Sequence, residues 1–461
     1  MRPEAEIENA RTLADALRIS REQATELLSA AVAVTYDESD GVATRFAGHV
    51  ICMMARTVDT VLANDQASGH SVAVELVIGS ARPRRNVACL FAGFGHDEVV
   101  ISQTPLARQE FIIHPIGLLI GACYATGAVL KKVFGEQLPF PSVDILRINL
   151  GQFLVGDRPL IDNPVFFDEA YLAGAGAIGN GFLYGLSQFK VEGVLNVVDD
   201  DFVSGGNLQR CIYFTEEDIS LPKVERLCTR IKKALPNVKA IPHQMRLQDV
   251  PARRSGPWLK RLIVGVDSPR ARRSLQSDIP REVFDGSTTG ISEIVLHFNR
   301  QPTELACMSC VYYQSPDESA HERHVAEALG VGIDDVRQDR ISSGAAGKIH
   351  ERYPQVAISE IESLAYDTLF KKLCSTGELT SAQGSRVLTP FAFVSVLAGA
   401  LLAMEFVCRI QNPRRNFNLW HVSPWTNPVW KARRLLPKNT ECEFCGNPIL
   451  VRVAREMWCK S

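Results

Sequence analysis

Three glycines, Gly174, Gly176 and Gly179, form GxGxxG in YLAGAGAIGNGFL, directly after an apolar strand and at the start of a helix. There the backbone can approach phosphate groups, and the helix N-terminus attracts them. Alone, this motif most often means a dinucleotide site. About twenty residues on, however, VVDDDFVSGGNLQRC places Asp199 and Asp201 at the end of the next strand, followed by Asn207 and Arg210 and then by Lys223 in SLPK. A redox site has no use for that group, whereas a nucleoside triphosphate does. Asp199 can reach ribose hydroxyls, Arg210 and Lys223 can neutralise phosphate charge, and Asp267, at the end of a third strand, can hold magnesium. Singly, an Arg or Lys on a helix is ordinarily a solvated charge and an Asp at a strand end is often a helix cap. Their joint position at three carboxyl ends of one parallel sheet argues for a ligand crevice.

Twelve cysteines accompany this set. In a reducing compartment they are thiols or metal ligands. Cys307 and Cys310 form one C-x-x-C, and Cys442 and Cys445 form a second. Two knuckles together supply the four soft thiolates of tetrahedral structural zinc; a redox pair is the competing reading of either knuckle alone.

The 461-residue chain, 46% hydrophobic and 22% charged, has material for two packed domains. A net charge of −2 excludes a strong basic field, so neither nucleic acid nor an anionic membrane is the expected main partner. The opening MRPEAEIENARTLADAL lacks a secretory core, which predicts a cytoplasmic protein. Two apolar stretches, 115–130 and 390–404, fall short of the roughly 20 residues that span a bilayer and read as buried helices.

Residues 1–160 read as an α/β domain without a GxGxxG: two helices around Ser20, strands in SVAVELVIG and NVACLFAGF, and a helix ending at Gly135. A Pro- and Asp-containing linker, 156–163, follows. Residues 161–461 alternate strand and helix as a doubly wound, mostly parallel, Rossmann-like sheet does, with a polar helical insertion at about 315–385. The apolar helix 390–407 then re-enters the core, and the tail PILVRVARE reads as a last strand.

GAGAIGN, D-x-D-x-V-S-x-x-N-L-Q-R, the Pro-Lys pair and the V-D-S-x-x-x-R that ends in Arg272 together resemble the ThiF/MoeB/HesA group, relatives of the ubiquitin-activating enzymes. The resemblance spans 168–446 and includes the paired knuckles. It implies ATP- and magnesium-dependent adenylation of the C-terminal glycine of a ubiquitin-like protein. Asp199 would bind ribose, Asn207 and Arg210 the phosphates, Lys223 the α-phosphate and Asp267 magnesium. Two positions depart from the family pattern: Cys211 stands where Gln is frequent and Ser268 where Asn is. Homodimeric members borrow an Arg from the partner's N-terminal segment, for which Arg82, Arg84 and Arg85 are the nearest candidates. The first domain is then either a partner-binding domain or a degenerate, inactive adenylation half, which would make an internal pseudo-dimer in place of a homodimer.

Ubiquitin-activating relatives pass the acyl group to a cysteine on the crossover after the first knuckle. Cys374 lies in that interval, between Lys371–Lys372 and a polar stretch, and nearby cations favour its thiolate. Cys211 and Cys228 are weaker candidates, and Cys408 lies on the apolar helix. The expectation is therefore thioester formation and transfer to a conjugating enzyme. The alternatives are an adenylyltransferase that stops at the acyl-adenylate, for sulfur transfer or peptide or RNA modification, a nucleotide-binding scaffold without turnover, and a nicotinamide oxidoreductase.

Overall fold

A computed structural model describes residues 3–66, 71–106, 113–135, 138–141, 143–154, 159–255, 257–313, 316–338, 341–362, 364, 366, 369–370, 373, 389–413, 416–427 and 432–459. Two sheets organise them. The first contains β1 (Ala31–Thr35), β2 (Thr60–Ala63), β3 (Val72–Ile78), β4 (Ala88–Gly95), β5 (Glu98–Ser102) and β6 (Ile145–Asn149), in the order β2-β1-β3-β4-β5-β6. The second contains β7 (Val165–Ala173), β8 (Val191–Val198), β9 (Val238–His243), β10 (Arg261–Val264), β11 (Glu282–Thr289), β12 (Glu293–Arg300), β13 (Leu419–Val422) and β14 (Arg433–Arg434), in the order β14-β13-β12-β11-β10-β7-β8-β9.

The two sheets repeat one plan. In each, the first strand lies between the second and a later parallel strand, β1 between β2 and β3, and β7 between β8 and β10. Each then adds another parallel strand, β4 or β11, and turns back through an antiparallel hairpin into β5 or β12. Each next enters a 20-residue apolar helix, Pro115–Phe134 or Ala392–Gln411, before a further antiparallel strand, β6 or β13. The order reverses at β1 and at β7, the switch points where open α/β sheets bind ligands.

These long helices, with Gly41–Met54 and Ala177–Leu186, face one another between the sheets and bury a single core drawn from both halves. Ala177–Leu186 and Ala392–Gln411 approach so closely that a Cβ on Gly399 would lie 2.0 Å from the Gly181 carbonyl carbon, and one on Gly185 would lie 2.6 Å from the Ala400 Cα. Glycine is required there because backbone meets backbone. Both long helices are long and apolar enough to cross a membrane, which corrects the shorter lengths expected from sequence, but 78% and 89% of their most apolar stretches are buried inside the fold.

The segment after the first knuckle forms the helices Pro316–Leu329, Ile333–Val336, Ser343–Arg352 and Ile358–Ile361, which share a separate apolar core around Leu329, Ile349, Ile361 and Phe370. The tail departs from expectation. Pro448–Cys459 is a helix, not a strand, because its apolar residues recur at helical spacing, burying Ala454 and Trp458 while the opposite side meets solvent.

Candidate nucleotide site

The turn after β7 is shaped by backbone crowding. Gly174 has φ 100°, and a Cβ there would lie 2.9 Å from the carbonyl of Gly265, the residue that follows β10. A Cβ on Gly179 would lie 2.1 Å from the Gly174 oxygen, whereas one on Gly176, at the N-cap of Ala177–Leu186, would meet nothing within 4 Å. Two glycines therefore close the turn, and the third leaves its outer side open for a ligand.

Asn180, fully buried, holds the turn in shape. Its Nδ2 donates to the Ala175 and Gly176 carbonyls, both at 2.9 Å, and its Oδ1 accepts from the Tyr213 amide at 3.1 Å. No role was assigned to this side chain from sequence, although it closes the GAGAIGN motif. An amide was the available signal, since its NH2 can donate twice to the turn while its oxygen accepts from a second segment.

Asp199, just past β8, accepts from the Ala175 amide at 2.7 Å and the Asp201 amide at 2.8 Å. Burial raises its pKa, against the pull of Lys223. Lys223, 8% exposed, donates to Asp201 Oδ2 at 2.9 Å. Burial works against the ammonium charge, but Asp199 and Asp201 outweigh it and push the Lys223 pKa up. The lysine is thus a fixed cation with carboxylates on one side. Asn207 ends the short 3-10 turn Gly205–Asn207 and accepts from the Ser204 amide at 3.0 Å, while Arg210 donates to the Gly206 carbonyl at 2.8 Å.

Asp267 is exposed, two residues after Gly265, whose amide donates to the Ala173 carbonyl. Ser268 caps the helix Pro269–Ser277, accepting from the Ala271 amide. Arg272 points inward instead: it pairs with Asp285 and donates to the Val266 and Gly286 carbonyls, fixing the loop that carries Asp267. The Asp199, Asp200 and Asp201 carboxylates lie within 4.8 Å of one another, a hard-oxygen set suited to magnesium; Asp267 is outside that cluster.

Away from this crevice, the four knuckle cysteines converge. Their sulfurs are separated by 3.7 Å (Cys307–Cys310), 3.8 Å (Cys307–Cys442), 3.6 Å (Cys310–Cys445) and 3.4 Å (Cys307–Cys445). Thiolates about 2.3 Å from a tetrahedral zinc ion would be about 3.8 Å apart, so the set fits zinc. Backbone amides of Asn439 and Cys445 donate to the Cys310 and Cys442 sulfurs, as thiolate acceptors require.

The ThiF family pattern matches residues 168–444, well over half of the sequence. The chain belongs to the ThiF family. Residues 3–155 match the E1 N-terminal domain. The chain is 28% identical over 361 residues to an uncharacterized protein, y4jF, of Sinorhizobium fredii, covering 74% of this chain and 68% of that one. It is 28% identical over 188 residues to the sulfur carrier protein ThiS adenylyltransferase of Escherichia coli, covering 39% and 68%. It is also 26% identical over 164 residues to the NEDD8-activating enzyme E1 catalytic subunit of Arabidopsis thaliana, covering 32% of this chain and 35% of that subunit. Among solved structures, E. coli MccB aligns with a TM-score of 0.38 and 15% identity, covering 64% of this chain and 68% of MccB.

In this ThiF-family chain the first sheet has a matching crevice of about 510 Å³, lined by Tyr36, Asp37, Glu38, Asn64, Asp65 and Arg84 among others. Asn64 Oδ1 accepts from the Tyr36 amide at 3.0 Å, just as Asp199 accepts from Ala175. The phosphate end differs. Asp40 caps Gly41–Met54, accepting from the Val42 and Ala43 amides, so the chain's own carboxylate occupies the helix N-terminus that phosphate would need. Asn64 Nδ2, meanwhile, donates to Glu38.

Of the arginines proposed to reach the second site, Arg82 and Arg84 line this first crevice, Arg84 pairing with Asp65, and Arg85 pairs with the buried Glu75. The N-terminal helix Pro3–Leu17 lies instead against the 3-10 turn Gly205–Asn207, where Glu4 and Glu8 approach Gly205 and Gly206 and Arg11 pairs with Glu8. Of the cysteines, Cys211 and Cys228 are buried, and burial pushes the Cys211 thiol up, which disfavours nucleophilic attack by either. Cys374 lies outside the described residues.

Proposed function

We propose that this protein adenylates the C-terminal carboxylate of a ubiquitin-like protein and passes the acyl group to Cys374 as a thioester, for transfer to a conjugating enzyme or acceptor. The observation that carries the reading is the convergence of the Gly-rich turn, the Asp199–Lys223 cluster, the Asn207–Arg210 segment and Asp267 at three neighbouring strand ends of a ThiF-family sheet.

The substrate carboxylate is already ionised, so no strong base is needed. One of its oxygens attacks the α-phosphorus of ATP, and the bond from that phosphorus to pyrophosphate breaks. Catalysis then consists of alignment and charge compensation. In this scheme Asp199 holds ribose, the open side of Gly176 admits phosphate, and Arg210 and Lys223 offset phosphate charge. Asp267 or the Asp199–Asp201 carboxylates would hold magnesium, which would supply further charge compensation. In the second step the Cys374 thiolate attacks the acyl carbon and AMP leaves. The first half, with Glu38 in its crevice and Asp40 on its helix N-terminus, serves as an inactive partner within the same chain.

Pyrophosphate exchange with a candidate ubiquitin-like protein, followed by a non-reducing gel, tests both steps. Exchange without a thiol-sensitive adduct would leave the alternative that the enzyme stops at the acyl-adenylate, as sulfur-carrier or peptide adenylation requires. An adduct that survives Cys374→Ala would exclude that residue. The four-cysteine cluster is proposed to hold structural zinc: metal analysis should find one zinc per chain, and Cys307→Ser should lose the metal and lower the Tm.

A further inference from the structure

We propose that Arg56, in the first half, is a positioning residue for the ATP site of the second. This deepens the function proposed above and rests on it. Arg56 follows the helix Gly41–Met54, on the sheet that carries no Gly-rich turn. Its Nη1 is anchored at home, donating to the Cys52 carbonyl at 3.1 Å, and Asn9 Nδ2 holds the Arg56 carbonyl at 2.8 Å. Its Nη2 crosses to the other half and donates to the Ile212 carbonyl at 2.7 Å and the Phe214 carbonyl at 3.4 Å.

Those carbonyls flank Tyr213, whose amide donates to Asn180 Oδ1, and the same Asn180 side chain ties down the Ala175 and Gly176 carbonyls of the phosphate turn. The segment also begins just past Arg210, and the Cys211 amide closes onto the Asn207 carbonyl at 2.9 Å. One planar guanidinium therefore fixes a three-residue stretch from which both the phosphate turn and the Asn207–Arg210 segment are positioned. A carbonyl pair accepting from a forked donor fixes direction as well as distance, which a point charge does not. Elsewhere the seam combines apolar packing with other hydrogen bonds, among them His49–Tyr184 at 2.7 Å, on Ala177–Leu186 itself, Thr12 to the Thr389 carbonyl at 2.9 Å and Tyr124 to the Ser423 carbonyl at 3.1 Å. Arg56 is the described cation that reaches the 212–214 carbonyls from the first half.

The test is ATP affinity of the full-length protein by calorimetry, with thermal unfolding in parallel. Arg56→Ala is expected to weaken ATP binding about tenfold, a size typical of a lost charged hydrogen bond in a shared network, with the Tm within a few degrees of wild type. Millimolar guanidinium chloride, but not sodium chloride, should restore part of the affinity. Arg56→Lys should remain weakened, and Arg147→Ala, whose side chain is exposed and pairs with Glu98, should bind ATP as wild type does. Arg56 and Asn180 act on one segment, so Arg56→Ala combined with Asn180→Ala should cost less than the sum of the two. Unchanged affinity in a folded Arg56→Ala variant would overturn the proposal, as would additivity with Asn180→Ala. If Arg56→Ala does not fold, wild-type affinity in Arg56→Lys would do the same. A wild-type protein that binds ATP but exchanges no pyrophosphate with any ubiquitin-like partner overturns the proposed function and leaves the role of Arg56 standing.

Discussion

At the scale of single residues, the proposed nucleotide site separates groups that would contact nucleotide from groups that hold them in place. Lys223 is buried and charged, while Asp201 is half exposed, with 48% of its side chain in contact with solvent. Lys223→Met should therefore cost rate more than fold, because water can rehydrate Asp201. Exchange is expected to fall about a hundredfold or more, with only a small change in Tm. Two buried histidines make stability depend on pH. Burial, with Arg45 nearby, lowers the His49 pKa to about 4, and burial lowers that of His297 to about 4 as well. Both pKa values lie below the ordinary histidine value, so the unfolded chain binds these protons first. The stability each neutral ring confers is complete above about pH 6.5 and is lost as pH falls towards 4, on the order of 3 kcal/mol each. Denaturant midpoints measured from pH 7.5 to 4.5 should show this decline, and His49→Gln should flatten it.

At the scale of elements, the crossing of Ala177–Leu186 and Ala392–Gln411 fixes the phosphate turn relative to the sheet. Gly399→Ala has no room, since its Cβ would meet the Gly181 backbone. It should destabilise by about 2–3 kcal/mol or more and weaken ATP binding, as measured by chemical denaturation and calorimetry. Gly48, on an exposed side of Gly41–Met54 with nothing within 4 Å, is the contrast: Gly48→Ala should stabilise by up to about 1 kcal/mol. The strand and helix alternation of residues 165–277 was legible because β strands there are short, apolar and separated by helical periods; Ser20, between the two helices expected near the N-terminus, caps the second of them. The final helix was not, since PILVRVARE contains β-branched residues at spacings that fit either element, and burial of Trp458 against the Ile279 carbonyl, at 2.9 Å, favours the helix.

At the scale of the molecule, two sheets of one plan share a core, but only the second has the Gly-rich turn. Asp40 fills the helix N-terminus in the first, where a triphosphate would meet a fixed negative charge. Calorimetry should therefore find one ATP per chain, and photo-crosslinking with an azido-ATP should label peptides from residues 161–461 alone; a second site in the first half would contradict this account.

The sequence by itself determined the Gly-rich turn, the acidic strand end, the Lys223 cation and the four metal-ready cysteines, because each is a local pattern whose chemistry depends on residue type and spacing. Only the tertiary structure decided that Arg272 is a buried brace, that Arg82 and Arg84 line the first crevice while Arg85 pairs with Glu75, that Pro3–Leu17 lies against the Gly205–Asn207 turn, and that Asn180 and Arg56 meet around Tyr213. These are contacts between segments up to about 200 residues apart. Such a contact depends on how two surfaces pack, and no spacing along the chain encodes it.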